Sequence, residues 1–138
     1  FDNAIGACVV NFPNMAPYER YDAWRACHKL ALLVYKLTET FPSTEKFGLT
    51  IQARRAAYSA AANIVEGCSK RGAREFRRYL DVSMESLNEI EYAFRLAKDL
   101  NILSQENWEV FLSAKNKAGR LTWGLYRSIA ALSSPHRN

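Results

Sequence analysis

The chain has 138 residues, 49% of them hydrophobic and 24% charged, the balance of one globular domain with a sizeable core. Lys and Arg outnumber Asp and Glu by 19 to 14, an excess that favours anionic partners or solubility and says nothing about fold. The longest strongly apolar runs, such as LALLVY at 30–35, fall well short of the roughly 18–20 residues that a membrane-spanning helix needs, so no membrane partner is expected.

Cys8, Cys27 and Cys68 are odd in number and widely spaced, without the C-x-x-C pattern of a zinc or redox site, and suit a reduced, cytoplasmic setting. The opening FDNAIGACVVNFPN has neither the basic start nor the long apolar stretch of a signal peptide. Met15 is a candidate natural start. Residues 1–17 are therefore read as an N-terminal extension outside the fold, in which IGACVV can pair as a short strand.

The first helix is expected over residues 18–41, because Ala23, Cys27, Leu30, Val34, Leu37 and Phe41 recur at spacings of three and four, and Pro42 stops it. A loop marked by Pro42, Ser43 and Gly48 leads to a thin second helix over 49–67, rich in alanine (Ala53, Ala56, Ala57, Ala60, Ala61, Ala62), with Gly67 as its C-terminal stop. The third helix starts near Gly72, with Glu75 in the capping-box position, and reaches Leu100, where Asn101 ends it. Ser104 caps the fourth, Glu106 suits its first turn, and Trp108, Phe111, Ala118, Leu125, Ile129 and Leu132 mark its buried side. SSPHRN is a polar tail over 133–138. Four amphipathic helices with short connections over 18–132 predict an all-α, antiparallel up-down-up-down four-helix bundle.

Residues 17–132 resemble the four-helix-bundle proteins associated with intervening sequences in 23S ribosomal RNA genes. The segments that carry the likeness are YERYDAWRACHKLALLVYKL, FGLTIQARRAAYSAAANIVEG and REFRRYLDVSMESLNEIEYAFRLAKDLNILS, and RRAAYSAAANIVEG followed by EFRRYL is the most specific. This bacterial family includes proteins similar to the accessory variability determinant of diversity-generating retroelements, a pentameric barrel of four-helix bundles that binds nucleic acid and a reverse transcriptase. The resemblance thus implies a homo-pentamer, RNA or DNA as a partner, and a protein partner such as a reverse transcriptase. Gly72 departs from the family pattern, which tends to have a serine N-cap there.

Between 54 and 78 the chain carries Arg54, Arg55, Lys70, Arg71, Arg74, Arg77 and Arg78 against only Glu66 and Glu75. Such a cluster at a helical hairpin either grips phosphates or is a solvated turn with local ion pairs, such as Arg77 with Asp81. On the fourth helix Arg120, Trp123 and Arg127 fall opposite the apolar stripe, where aromatic and arginine residues serve a subunit interface or stack on bases. Leu32, Tyr92 and Leu96 also point away from their helices' cores, and apolar residues left over on several helices suggest a patch covered by oligomerisation.

Catalytic chemistry finds no constellation. Glu85, Glu89 and Glu91 invite comparison with di-metal bundles, but no Glu-x-x-His occurs, and His28 and His136 are the only histidines; the glutamates are read as a solvated face or as partners for Arg54 and Arg55. Cys27 is read as a small core residue, whereas Cys68 borders the basic turn, which can lower its pKa. No catalytic residue, metal or cofactor is expected. The first functional reading is a non-enzymatic oligomeric scaffold binding RNA or other nucleic acid through the basic cluster; the alternative is a structural or protein-interaction oligomer with no nucleic-acid role.

Overall fold

The computed structural model describes residues 14–133, so the IGACVV stretch, Cys8 and His136 lie outside the described residues. Four helices account for most of it: α1 (Asp22–Thr38), α2 (Leu49–Cys68), α3 (Ala73–Asp99) and α4 (Gln105–Ser133). Each packs mainly on its neighbours in the chain and α4 closes on α1, giving the expected antiparallel bundle. The amino end of α1, the α2–α3 turn and the carboxyl end of α4 therefore share one end of the bundle.

The helix limits differ from the sequence reading at α1. A single 3-10 turn over Pro17–Arg20 comes first, and Tyr21 is extended (φ −93°, ψ 125°), so the regular helix begins at Asp22. It stops before Pro42, because the Thr38 hydroxyl donates to the Val34 carbonyl (2.7 Å) and the Thr40 hydroxyl to that of Leu37 (2.8 Å). Phe41 is buried all the same, carried inward by the turn. Gly67 is not a left-handed stop: it lies inside α2, and a Cβ there would sit 2.8 Å from the Tyr79 Cβ and 3.0 Å from Cδ1 of Phe76. Its role is close approach of α2 to α3.

The ends of α3 and α4 follow the sequence closely. Asn101 is left-handed (φ 61°), the Ile102 N–H donates to the Ala97 carbonyl (2.8 Å) and the Asn101 N–H to that of Lys98 (3.0 Å), a Schellman closure. The Ser104 hydroxyl accepts the Asn107 N–H at 3.1 Å. At the start of α2 the cap comes from outside the helix: Glu45 Oε2 accepts the Leu49 N–H at 3.0 Å. A Cβ on Gly48 would meet that carboxylate at 2.6 Å, so a side chain there would displace the capping oxygen.

Phe76, Phe94 and Phe111 are fully buried, with Phe94 and Phe111 stacked at 4.1 Å between centroids. All six apolar positions expected of the first helix are buried, as are Trp108, Phe111, Ala118, Leu125 and Ile129 of α4; Leu132, in the last turn of α4, is 42% exposed among the described residues. Ala53, Ala56, Ala57 and Ala60 are buried and let α3 come close, whereas Ala61 and Ala62 are half-buried on a flank. The hydroxyls inside this seam are satisfied. Ser83 donates to the Ala60 carbonyl, and Ser86 to the Ser59 hydroxyl at 2.8 Å, pinning the register of α2 on α3.

Candidate nucleic-acid interface

The α2–α3 connection is short and held by hydrogen bonds. Ser69 closes α2, its hydroxyl donating to the Glu66 carbonyl at 2.7 Å, and the Lys70 N–H reaches the Gly67 carbonyl at 3.1 Å. Gly72 then takes φ 90°, a conformation that disfavours any side chain, and α3 begins with no side-chain cap. The serine typical of the resembled family would be strained here, so glycine suits this backbone. Glu75 occupies the first turn of α3 and pairs with Arg78 at 3.9 Å rather than reaching back to the cap.

Over residues 66–78 five cations, Lys70, Arg71, Arg74, Arg77 and Arg78, face only two carboxylates, Glu66 and Glu75. Lys70, Arg71, Arg74 and Arg78 are exposed; Arg77 is half-buried and has an interaction of its own. Lys70 reaches over the Tyr79 ring at 5.4 Å, which holds its charge near the turn. The amides of the first turn of α3 open at the same end, and they add partial positive charge to this surface.

Arg54 and Arg55 do not join this group. Roughly 22 Å of helix separates Arg55 from Lys70, at 1.5 Å per residue. Arg54 is committed to structure: its Nε donates to Thr38 Oγ1 (2.9 Å), its Nη2 to the Tyr35 carbonyl (3.3 Å), and its guanidinium covers the Tyr35 ring at 4.6 Å. The expected glutamate partnership is replaced by these contacts, while Glu91 pairs with Lys115 of α4 at 3.5 Å.

Neither described cysteine is an activated thiol. Burial pushes the Cys27 thiol up to about 11, against a weaker opposing effect of the Thr122 hydroxyl 3.5 Å away. Burial also raises Cys68, outweighing the pull of the Arg20 guanidinium; its Sγ donates to the Val65 carbonyl at 3.2 Å. The lowering anticipated from the basic turn does not occur. Among the described residues no group of three or more His, Cys, Asp or Glu side chains could hold a metal ion, and no helix is long and apolar enough to cross a membrane.

The leftover apolar residues resolve into distinct surfaces. A groove of about 510 Å³ between α1 and α2 is lined by Leu32, Tyr35, Tyr58, Ala61, Ala62 and Val65, and at its edge His28 stacks on Trp24 at 4.8 Å. Leu32 is 60% and Tyr58 71% exposed. Tyr35 and Tyr58 went unremarked in the sequence because each is merely outward on its own helix; only the packing of α1 on α2 makes them one surface. On α4 Arg120, Trp123 and Arg127 are all exposed, with Trp123 stacked on Tyr126 at 5.3 Å. Tyr92 is exposed and Leu96 half-buried on α3.

Four antiparallel helices packed on one another, with a cluster of cations at one end, define a small all-α four-helix-bundle protein by class. The model of the family described as 23S rRNA-intervening sequence protein matches residues 19–124, and the chain belongs to that family. A search of curated proteins found no match.

Proposed function

We propose that this protein is a non-enzymatic, self-associating scaffold that binds RNA or other nucleic acid through the basic end of its bundle. The observation that carries this reading is the convergence of exposed Lys70, Arg71, Arg74 and Arg78 with the start of α3, which has no side-chain cap, on one short turn. Arginine forks and lysine point charges hold phosphate oxygens with little regard to sequence, and helix-start amides add to that field. The most exposed aromatics among the described residues, Phe47, Tyr58 and Tyr92, lie away from this turn, which favours backbone contact over base stacking.

Self-association is supported by the apolar groove between α1 and α2. A second copy offers exposed Trp123, stacked on half-buried Tyr126 on a different surface, so the contact is head-to-tail and closes into a ring when the rotation allows. Five copies is the number we favour. The expectation drawn from the family resemblance extends this proposal to a protein partner such as a reverse transcriptase, seated on the assembled ring in a cytoplasmic, bacterial setting.

The test is fluorescence anisotropy with a structured RNA at low salt, comparing the protein with its R71E/R74E/R78E variant. At least a tenfold loss of affinity, with an unchanged helical circular dichroism spectrum, is expected. Equal affinity of the two proteins overturns the basic-end reading, and partners that survive nuclease treatment of a pull-down favour the protein-interaction alternative.

A further inference from the structure

The face shared by α1 and α4 has a charge pattern independent of the α2–α3 turn. Residues 23–38 contain Arg25, Lys29 and Lys36 and no carboxylate; residues 110–133 contain Lys117, Arg120 and Arg127, with Lys115 turned to Glu91 of α3, and again no carboxylate. The acids of these two helices stand at the ends of the face, Asp22 bonded to Arg25 at one end and Glu106 and Glu109 in the first turns of α4 at the other. Glu39 follows the end of α1. A groove of about 350 Å³ runs between Lys29 and Lys117 over a floor of Ala26 and Ala114, and the bonded Asp22–Arg25 pair and Leu121 complete its lining. Both lysines are exposed, and neither takes part in an ion pair among the described residues.

We propose that this groove is a second seat for the phosphate backbone of a bound nucleic acid, with Lys29 and Lys117 closing on the strand from either side and Arg120 beside them. The proposal rests on the nucleic-acid reading above and extends its footprint. Asp22 in the lining is taken up by Arg25, so Lys29 and Lys117 leave the groove with a net positive charge, and the small side chains below leave room for a sugar-phosphate chain to lie close to both. The lysines have no directional neighbours, which suits an isotropic contact with phosphate better than a bidentate one with a carboxylate. Continuity points the same way: Arg127, exposed on α4, extends the positive surface toward the bundle end that carries Lys70, Arg71 and Arg74, so one polyanion can cover both. From the start of α1 to Lys29 is roughly 10 Å at the rise of a helix, a span within reach of a strand already anchored at the turn.

The experiment compares the full chain with its K29E/K117E variant and, separately, with R71E/R74E/R78E, in anisotropy titrations of a structured RNA over a range of salt. Both positions are exposed, and circular dichroism checks that the fold is kept; a K29Q/K117Q variant serves if charge reversal disturbs it. The expected result is at least a tenfold weaker affinity for K29E/K117E and a salt slope shallower by about two, one for each lost phosphate contact. An unchanged affinity and slope for K29E/K117E, beside a loss for R71E/R74E/R78E, overturns this inference and leaves the basic end standing. Absence of binding by the unaltered protein at low salt overturns both. Competition by polyglutamate as effective as that by RNA overturns the assignment to phosphate.

Discussion

The guanidinium of Arg54 covers the ring of Tyr35 at 4.6 Å while donating to the hydroxyl of Thr38 and the carbonyl of Tyr35, so one side chain of α2 ties down the last turn of α1. Arg54→Ala therefore removes a structural clamp. We expect it to lower stability by about 1–2 kcal/mol in urea unfolding, the worth of a charged hydrogen bond and a partly exposed cation–π contact, and to leave RNA affinity unchanged. A large loss of affinity without a loss of stability would return Arg54 to the binding surface.

Gly67 and Gly72 flank the basic turn for different reasons. At Gly67 a methyl group meets the Tyr79 Cβ at 2.8 Å, and Gly67→Ala is expected to cost about 1–3 kcal/mol by forcing α2 from α3. At Gly72 space is open but φ is 90°, so Gly72→Ala costs about 1–2 kcal/mol through backbone strain. Gly124, in α4 with open space around it, supplies the control: Gly124→Ala should stabilise by about 0.5–1 kcal/mol. Thermal melts of the three variants check the order.

Much of this architecture is legible in the residues alone, and the exceptions have a common cause. Asn101, Ser104 and the apolar stripes act within one or two turns of chain, so their roles follow from local chemistry. Cys27, Leu30 and Ile129 show their burial through spacing. What spacing hides is separation along a helix and adjacency between helices. Arg54 and Arg71 are near in sequence yet stand toward opposite ends of α2, and Tyr35 and Tyr58 are far apart yet line one groove. Gly67 looks like a helix stop because close packing and left-handed backbone call for the same residue. Lys29 and Lys117 carry no motif; their relation exists only once α4 lies on α1.

The exposed groove between α1 and α2 gives a prediction about mass. Light scattering should report a multiple of 15.7 kDa, five-fold for a ring of five, and L32E/Y58E should reduce it to a single copy with its helices intact. A single-copy mass for the unaltered protein contradicts the self-association.

Cys27 links stability to alkaline pH. Burial holds its pKa near 11 in the folded chain against 9.0 as the ordinary value, so the folded state keeps a proton that the unfolded chain gives up. The contribution is complete below pH 9 and is lost as pH rises toward 11. About 2–3 kcal/mol is at stake by linkage. Cys27→Ala should flatten that part of the pH profile relative to the unaltered protein, as followed by denaturant unfolding at each pH; parallel profiles would show that the thiol has no part in it.

The central claim, that the basic end holds nucleic-acid phosphates, is tested most directly by the dependence of RNA affinity on salt. Four exposed cations at the turn, each displacing condensed counterions from one phosphate, predict that log affinity falls against log salt with a slope of about −3 to −4 per bundle. A slope near zero, or no binding to structured RNA at low salt, would contradict it.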